Sequence, residues 1–551
     1  MKNSCLHLSK IIGFTLSRYP IPHDDIDPFN ANLSLVVLRP MGLYLYLWGI
    51  GDIGPLEDGF TYSLGFLPSR NRFERNVLLH LEQDRIVIEN DWLGSIPIFY
   101  NKDTGIFSTL PLKTLTGDDD LDPIGLYLFL EIGHNALNRT MFQRVRMLRY
   151  YSKIYVYKHH FELDSESLPL VFESMDNASS GTEQDAIDGI EQYLEKITAA
   201  FPQNTKVALN VTEKLSDRLL LTYFPYKSRL QTFAYDFHGN NSSYTIVKAA
   251  KKVSNALDID FTTIHVDELN YHIKKWFRLF GFSSNLHGSW QIESLYQLRS
   301  ALGKNRSDGA VIVFMTSLLG NAWAGGYEIP PIPNTQELEY LTLQTSLRIP
   351  SSKILIPDPE HVKSRLLSES GTILSYPEGR ILTAIRINMT RIAYLSSLPE
   401  YFGFPVIAPF CNRDVAQRIF SIPYAERKQY TWLKGVFRRL GLYPEDDFIK
   451  TPFSSRQFMQ RATNGLSSLN SRILGHCVSP WFVKKINNAL FGNELWSHVL
   501  WKITDSTYLT PMLWRFGVER QLLNCLSWYH VLKPIEMSIQ YSLHRSTLEN
   551  E

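Results

Sequence analysis

No two of the chain's four cysteines (Cys5, Cys411, Cys477, Cys525) stand close enough to make a C-x-x-C pair or a zinc spacing. That pattern excludes a disulfide scaffold or a zinc module read from sequence, and it suits a reducing interior. Charge of one sign is also lacking: 56 Lys and Arg face 55 Asp and Glu, a net +1. Such a balance carries no footprint for nucleic acid or an anionic surface, so neither is expected as a partner. Long apolar runs are missing as well. The most apolar window, residues 33–50, is interrupted by Arg39 and Pro40 and falls short of the roughly 20 apolar residues of a membrane span. The opening Met-Lys-Asn-Ser-Cys-Leu-His has no apolar core of a signal peptide, so the expectation is a cytoplasmic chain with no membrane span. The most telling absence is local. The loop from Thr212 to Arg218 contains no glycine, although it lies where a phosphate cradle would need them.

What is present is a packed globular composition, 44% hydrophobic and 13% aromatic in 551 residues, enough for two or three domains. Residues 30–160 hold short β-branched or aromatic runs: Leu33–Leu38, Leu43–Trp48, Arg85–Glu89, Ile96–Tyr100 and Lys153–Tyr157. A helix is expected over Pro123–Ile132 behind Asp122 as N-cap. Residues 164–184 are small, polar and turn-rich, the composition of an inter-domain linker. Helix and strand then alternate. Helices are expected at Gln184–Ala200, Arg218–Phe224, Thr245–Leu257 and Ile292–Leu302. Each is followed by a strand, at Val207–Val211, Gln231–Tyr235, Asp260–Val266 and Gly309–Met315. This order predicts a parallel sheet with helices on both faces. From about residue 360 strand signals fade, and the chain reads as helical to its end.

The strand Val207–Val211, its loop and the helix behind it have the frame of a nucleotide site in an α/β sheet, a strand's carboxyl end beside a helix's amino end. The chemistry in that frame is different. Glu213 and Lys214 stand where glycines would present N–H groups, and Glu213 brings a negative charge to the place of an anion.

Several motifs in order resemble the asparagine synthase family, in which a class II glutamine amidotransferase domain precedes an ATP-pyrophosphatase synthetase domain. Asp91-Trp-Leu-Gly94-Ser-Ile-Pro97-Ile-Phe-Tyr100 is similar to D-x-x-G-x-x-P-L-Y-Y, and Phe107-Ser108-Thr109 follows it. Arg139-Thr140-Met-Phe142 through Leu148 is similar to R-T-x-F-x-x-I-x-x-L. Thr212–Arg218 takes the place of S/T-G-G-x-D-S-R. Thr316–Tyr327 matches the length and terminal G-G-Y of S-G-E-G-G-D-E-L-F-G-G-Y. Pro409-Phe410-Cys-Asn412-Arg413 resembles P-F-L-D-R, and Tyr430–Arg438 carries Lys434 in a K-x-x-L-R-like run. The resemblance covers roughly residues 80–455. It implies a fold class: α/β, an Ntn-type layered β domain followed by a parallel-sheet ATP-pyrophosphatase domain with a helical C-terminal region. The implied division is 1–170, 180–455 and 456–551.

Departures from the family accompany the matches. The family's glutaminase needs a cysteine at the mature N-terminus, where its own α-amine is the base; residue 2 here is Lys2, and Cys5 lies within the chain. In the synthetase part Ser216 replaces a metal-binding aspartate, with Asp217 one place on, and Asn321 and Ala322 replace an aspartate and a glutamate. The resemblance therefore implies Thr212, Ser216, Asp217, Arg218 and Gly320 as the remnant of a nucleotide site and Lys434 as the surviving catalytic lysine. Arg218, Lys214 and Lys434 are expected to form one anion-binding group. No metal ligand and no cofactor is expected. The expected function is that of a pseudoenzyme with an unknown protein or small-molecule partner. The alternative is an ATP- and Mg²⁺-dependent amide-forming ligase without glutaminase activity.

Two lone histidines, His265 and His287, read as structural or surface residues, since no further ligand falls at metal spacing. The aromatics near the C-terminus (Trp481, Phe482, Trp496, Trp501, Trp514, Trp528, Tyr529) read as a helical core, with a docking surface as the alternative.

Overall fold

The computed structural model describes residues 10–21, 33–50, 61–65, 72–117, 119–165, 181–212, 214–237, 241–266, 272–303, 311–331, 341, 348–361, 364, 374–443, 466–491 and 518–549. Lys2, Cys5, Glu213, most of the expected linker, and Trp496, Trp501 and Trp514 lie outside them.

The first part of the chain is one curled mixed sheet of eleven strands. In chain order they are β1 (Lys10–Ser17), β2 (Leu33–Leu38), β3 (Tyr44–Ile50), β4 (Thr61–Leu64), β5 (Val77–Leu81), β6 (Ile86–Asn90), β7 (Phe99–Asn101), β8 (Phe107–Ser108), β9 (Val145–Met147), β10 (Ser152–Val156) and β11 (Phe161–Ser165). The sheet runs β11-β10-β6-β5-β4-β1-β8-β7-β9, and β3 joins β1 to β2. Among these pairs only β1 with β4 is parallel. The predicted strand from Ile96 begins only at Phe99. Pro97 has no N–H for a ladder, which explains the late start.

Helix α1 (Pro123–Ile132) has the predicted bounds. The Asp122 carboxylate accepts from the N–H groups of Ile124 and Gly125, Pro123 occupies the first turn, and Gly133 closes the helix at φ 79°. Helix α2 (Glu183–Ala199) opens on a reciprocal capping box between Thr182 and Asp185.

A second, separate sheet follows, formed by β12 (Lys206–Asn210), β13 (Leu230–Phe237), β14 (Asp260–Val266), β15 (Ile312–Met315) and β16 (Val406–Ile407). Its order is β14-β13-β12-β15-β16, and every pair is parallel. The helices of this layer are α3 (Leu215–Tyr223), α4 (Asn241–Ala256), α5 (Ile273–Phe280), α6 (Gln291–Gly303), α7 (Gly320–Trp323), α8 (Pro377–Ile392), α9 (Tyr394–Tyr401), α10 (Arg413–Phe420) and α11 (Thr431–Arg439). Strand β16 corrects the expectation of a purely helical chain after residue 360. It has two residues, too few for a period to show, and it exists because Phe314 and Met315 offer it an edge. At the end lie α12 (Pro480–Phe491) and α13 (Val518–Glu549).

The two sheets share cores. Trp92 and Leu93, from the turn after β6, are buried in the same cluster as α2, β12 and α8. The Trp92 ring stacks on Trp323 at 6.1 Å, and its Nε1 donates to the Cys411 carbonyl at 2.8 Å. A second cluster joins α1 and β7 to α5, α6, α12 and α13. Phe482 and Tyr529 belong to it, as a helical core requires, whereas Trp481 is 64% exposed. Cys411, Cys477 and Cys525 are buried free thiols. No helix among the described residues is long and apolar enough to cross a membrane.

Candidate functional site

After β12 the chain moves to β13 and β14 on one side; β15 then returns to the other side of β12. The carboxyl ends of β12 and β15 therefore diverge at the topological switch point, where open α/β sheets bind ligands. A cavity of about 240 Å³ lies there, walled by the loops after β12 and β15 and by α8 and α9.

The β12 side begins with Val207, Ala208 and Leu209, wholly buried as a central parallel strand requires. Asn210 ends the strand and lines the cavity with Thr212, Lys214, Ser216 and Asp217. Lys214 is the N-cap of α3 but makes no side-chain cap. The Asp217 carboxylate takes over the loop instead. Its Oδ2 accepts from the Thr212 N–H at 2.8 Å and from Thr212 Oγ1 at 2.5 Å, and its Oδ1 accepts from the Ser317 hydroxyl. One buried side chain thus ties the loop after β12 to the loop after β15. Burial pushes its pKa up, against the opposing influence of Lys214 and these hydrogen bonds.

On the β15 side, Leu319 adopts a left-handed φ of 72° and α7 starts at Gly320. A Cβ on Gly320 would meet Ser216 Cβ and the Phe410 ring at 2.6 Å, so α7 packs directly on α3. Gly325, at φ 97°, would put a Cβ 1.8 Å from the Arg427 carbonyl. These glycines serve close packing of backbone. Gly320→Ala is expected to lower unfolding free energy by about 1–3 kcal/mol through overpacking, readable as a reduced urea midpoint.

The predicted site residues separate. Thr212, Ser216 and Asp217 come together in the cavity. Gly320 lies behind its wall. Arg218 does not line it: its side chain is buried and Nη1 donates to the Leu442 carbonyl at 2.8 Å. Lys434, partly buried on α11, does not line it either. Of the three cations expected to bind an anion, Lys214 alone lines this cavity. His265 is exposed and lies 3.3 Å from Asp236.

Two residues not marked by the motifs complete the site. Arg391, near the end of α8, lines the cavity, and its Nε has no hydrogen-bond partner among the described residues. Burial lowers its pKa, and the phenols of Tyr394 and Tyr327 act in the other direction. Asn210 Oδ1, Ser216 Oγ and Asn321 Oδ1 likewise lack partners among the described residues. Asn210 was legible as a polar end to an apolar strand; nothing around Arg391 in the sequence marks it. The described lining carries Lys214 and Arg391 against Asp217, a balance of one positive charge. Among the described residues no group of three or more His, Cys, Asp or Glu side chains is arranged to hold a metal ion.

No protein-family model matches the chain, and no curated protein matches it.

Proposed function

We propose that the chain is a divergent, catalytically silent relative of the asparagine synthases, retained as a small-molecule binding protein. The switch-point cavity supports the ancestry, since it lies between a strand–helix turn at 206–223 and a second loop at 316–327, as the motif order implies. The observation that carries the silent reading is the engagement of Asp217. It is the one carboxylate among the described lining residues, and both of its oxygens already accept from Thr212 and Ser317. A triphosphate brings several negative charges, and its Mg²⁺ takes hard oxygen ligands. A lining with one spare positive charge and one committed carboxylate supplies neither. The Ntn-type identity of the first layer belongs to the same proposal.

Calorimetry with ATP, with and without Mg²⁺, tests this. The expected result is no saturable binding below millimolar concentration and no pyrophosphate release. Adding Glu213→Gly, Lys214→Gly, Asn321→Asp and Ala322→Glu together is expected to strengthen Mg·ATP binding about tenfold or more, through removal of repulsion and supply of metal oxygens. Micromolar Mg·ATP binding with pyrophosphate release by the unaltered chain would replace the silent reading with that of an amide-forming ligase.

A further inference from the structure

The cavity has a chemistry of its own beyond what it lacks. Among the described residues its guanidinium, Arg391, pairs with no carboxylate and its Nε has no hydrogen-bond partner. A planar guanidinium presents parallel N–H groups that match the two oxygens of a carboxylate. Ser216 is 1% exposed, lines the same cavity, and its hydroxyl meets no acceptor or donor among the described residues. Buried polar atoms left in this state are costly, and a ligand that satisfies them recovers that cost. Asn210 and Asn321 add two more unpartnered side-chain oxygens, one from each loop. Tyr235, Trp290 and Leu295 supply the apolar surface between them. At about 240 Å³ the space is smaller than the roughly 300–1,000 Å³ typical of drug-sized ligands. The net lining charge of one positive unit calls for a single negative charge.

We infer that this cavity binds a small organic monocarboxylate that has an apolar or aromatic body and its own N–H or O–H donors, with Arg391 holding the carboxylate and no metal involved. This rests on the metal-free reading above and deepens it. The donors of the ligand meet the Asn210, Ser216 and Asn321 oxygens, and the body lies against Tyr235 and Trp290. Arg391 is a binding residue in this scheme, and no bond is made or broken.

The test uses the full chain and three probes that share one ring: 4-aminobenzoate, benzoate and 4-aminobenzamide. Saturation-transfer NMR and calorimetry measure binding without Mg²⁺. The expected result is that 4-aminobenzoate binds at millimolar concentration or below. It should bind about tenfold more tightly than benzoate, which lacks the donor, and than 4-aminobenzamide, which lacks the charge. Arg391→Gln is expected to weaken 4-aminobenzoate about tenfold or more, and Arg391→Lys, which keeps charge and loses the fork, to fall between. Asn321→Ala, which removes one of the three oxygens that meet the ligand's donors, is expected to reduce the preference for 4-aminobenzoate over benzoate. Thermal melts of each variant separate lost binding from lost folding.

Failure of 4-aminobenzoate to bind at millimolar concentration overturns the inference, as does equal binding of the amide and the carboxylate. Unchanged affinity in a folded Arg391→Gln variant overturns it too. A chain that binds neither Mg·ATP nor the carboxylate keeps the silent reading and loses this one, whereas tight Mg·ATP binding sinks both.

Discussion

Replacing Glu400 with Leu is expected to lower the unfolding free energy by about 3–5 kcal/mol, the usual cost of leaving one member of a buried ion pair alone. Arg75 stands just before β5, in the first sheet, and Glu400 is in α9, beside the second. The Arg75 Nη1 and Nη2 donate to the two Glu400 oxygens at 2.7 and 2.8 Å, with both side chains 5% exposed. Burial works against the charge on Arg75, and Glu400 more than offsets it. Because the pair is desolvated, the double variant Arg75→Met with Glu400→Leu is expected to recover much of the loss, since no lone charge remains. Urea unfolding followed by tryptophan fluorescence measures all three. A loss below about 1 kcal/mol in the single variant would show the pair to be solvated and without a role in joining the layers.

The same experiment reads the cooperativity of the chain. Around this pair the Asn412 amide donates to Glu74 at 3.3 Å, and the Arg413 N–H donates to the Phe73 carbonyl at 2.8 Å. With cores shared across both sheets, one unfolding transition is expected. A first transition that removes only one sheet would mean that these contacts are weaker than the cores on either side.

Acidification is expected to begin destabilising the protein above the pH at which ordinary carboxylates titrate. His134 and His530 are buried at 0% and 3% exposure. Burial holds the His134 pKa well below the usual 6.5, and Arg391 adds repulsion. Burial likewise brings His530 down to about 3, with His287 contributing. The ring centroids of His287 and His530 lie 6.1 Å apart. Each histidine is neutral when folded and takes a proton once unfolded, so between the two pKa values the unfolded state binds more protons. Stability is therefore complete above about pH 6.5 and is lost as pH falls toward about 3. For His530 a shift of this size corresponds to something on the order of 5 kcal/mol across that window. His530→Gln is expected to flatten the decline between pH 6 and pH 4, whatever its effect at pH 7. A stability profile with the same slope in variant and parent would show that His530 stays hydrated in the fold. Asp217 has the opposite sign: its raised pKa favours the protonated, folded form at low pH, so it opposes this acid loss and does not cause it.

Local order was largely legible in the chain. Asp122-Pro123 and Gly133 delimit α1 because a cap, a fixed φ and a left-handed stop act within one turn. The alternation after residue 184 was readable because β12, β13, β14 and β15 are short apolar runs between amphipathic helices, and their parallel pairing follows from that order. The strand–loop–helix at Lys206–Tyr223 and its lack of glycine were also visible. Two further elements carry a readable pattern. β5 is a nearly continuous apolar run, Val77–Leu81, and α5 places Ile273, Trp276, Phe277 and Phe280 at helical spacing.

The site was divided between sequence and structure. The sequence placed Thr212, Ser216 and Asp217 at one turn, since four or five residues of a tight loop cannot separate far. It could not direct their side chains. Asp217 turns to Thr212 and Ser317 because β15 lies beside β12, a neighbour about one hundred residues away in the chain. Arg218, one residue and roughly 100° further around α3, donates instead to the Leu442 carbonyl. Arg391 enters the cavity only because α8 packs across the sheet ends. Hydrogen bonding and backbone sterics act over a few residues, so caps, turns and periods are written locally. Which charges share a cavity depends on contacts between distant segments, and only the packed tertiary structure decides those.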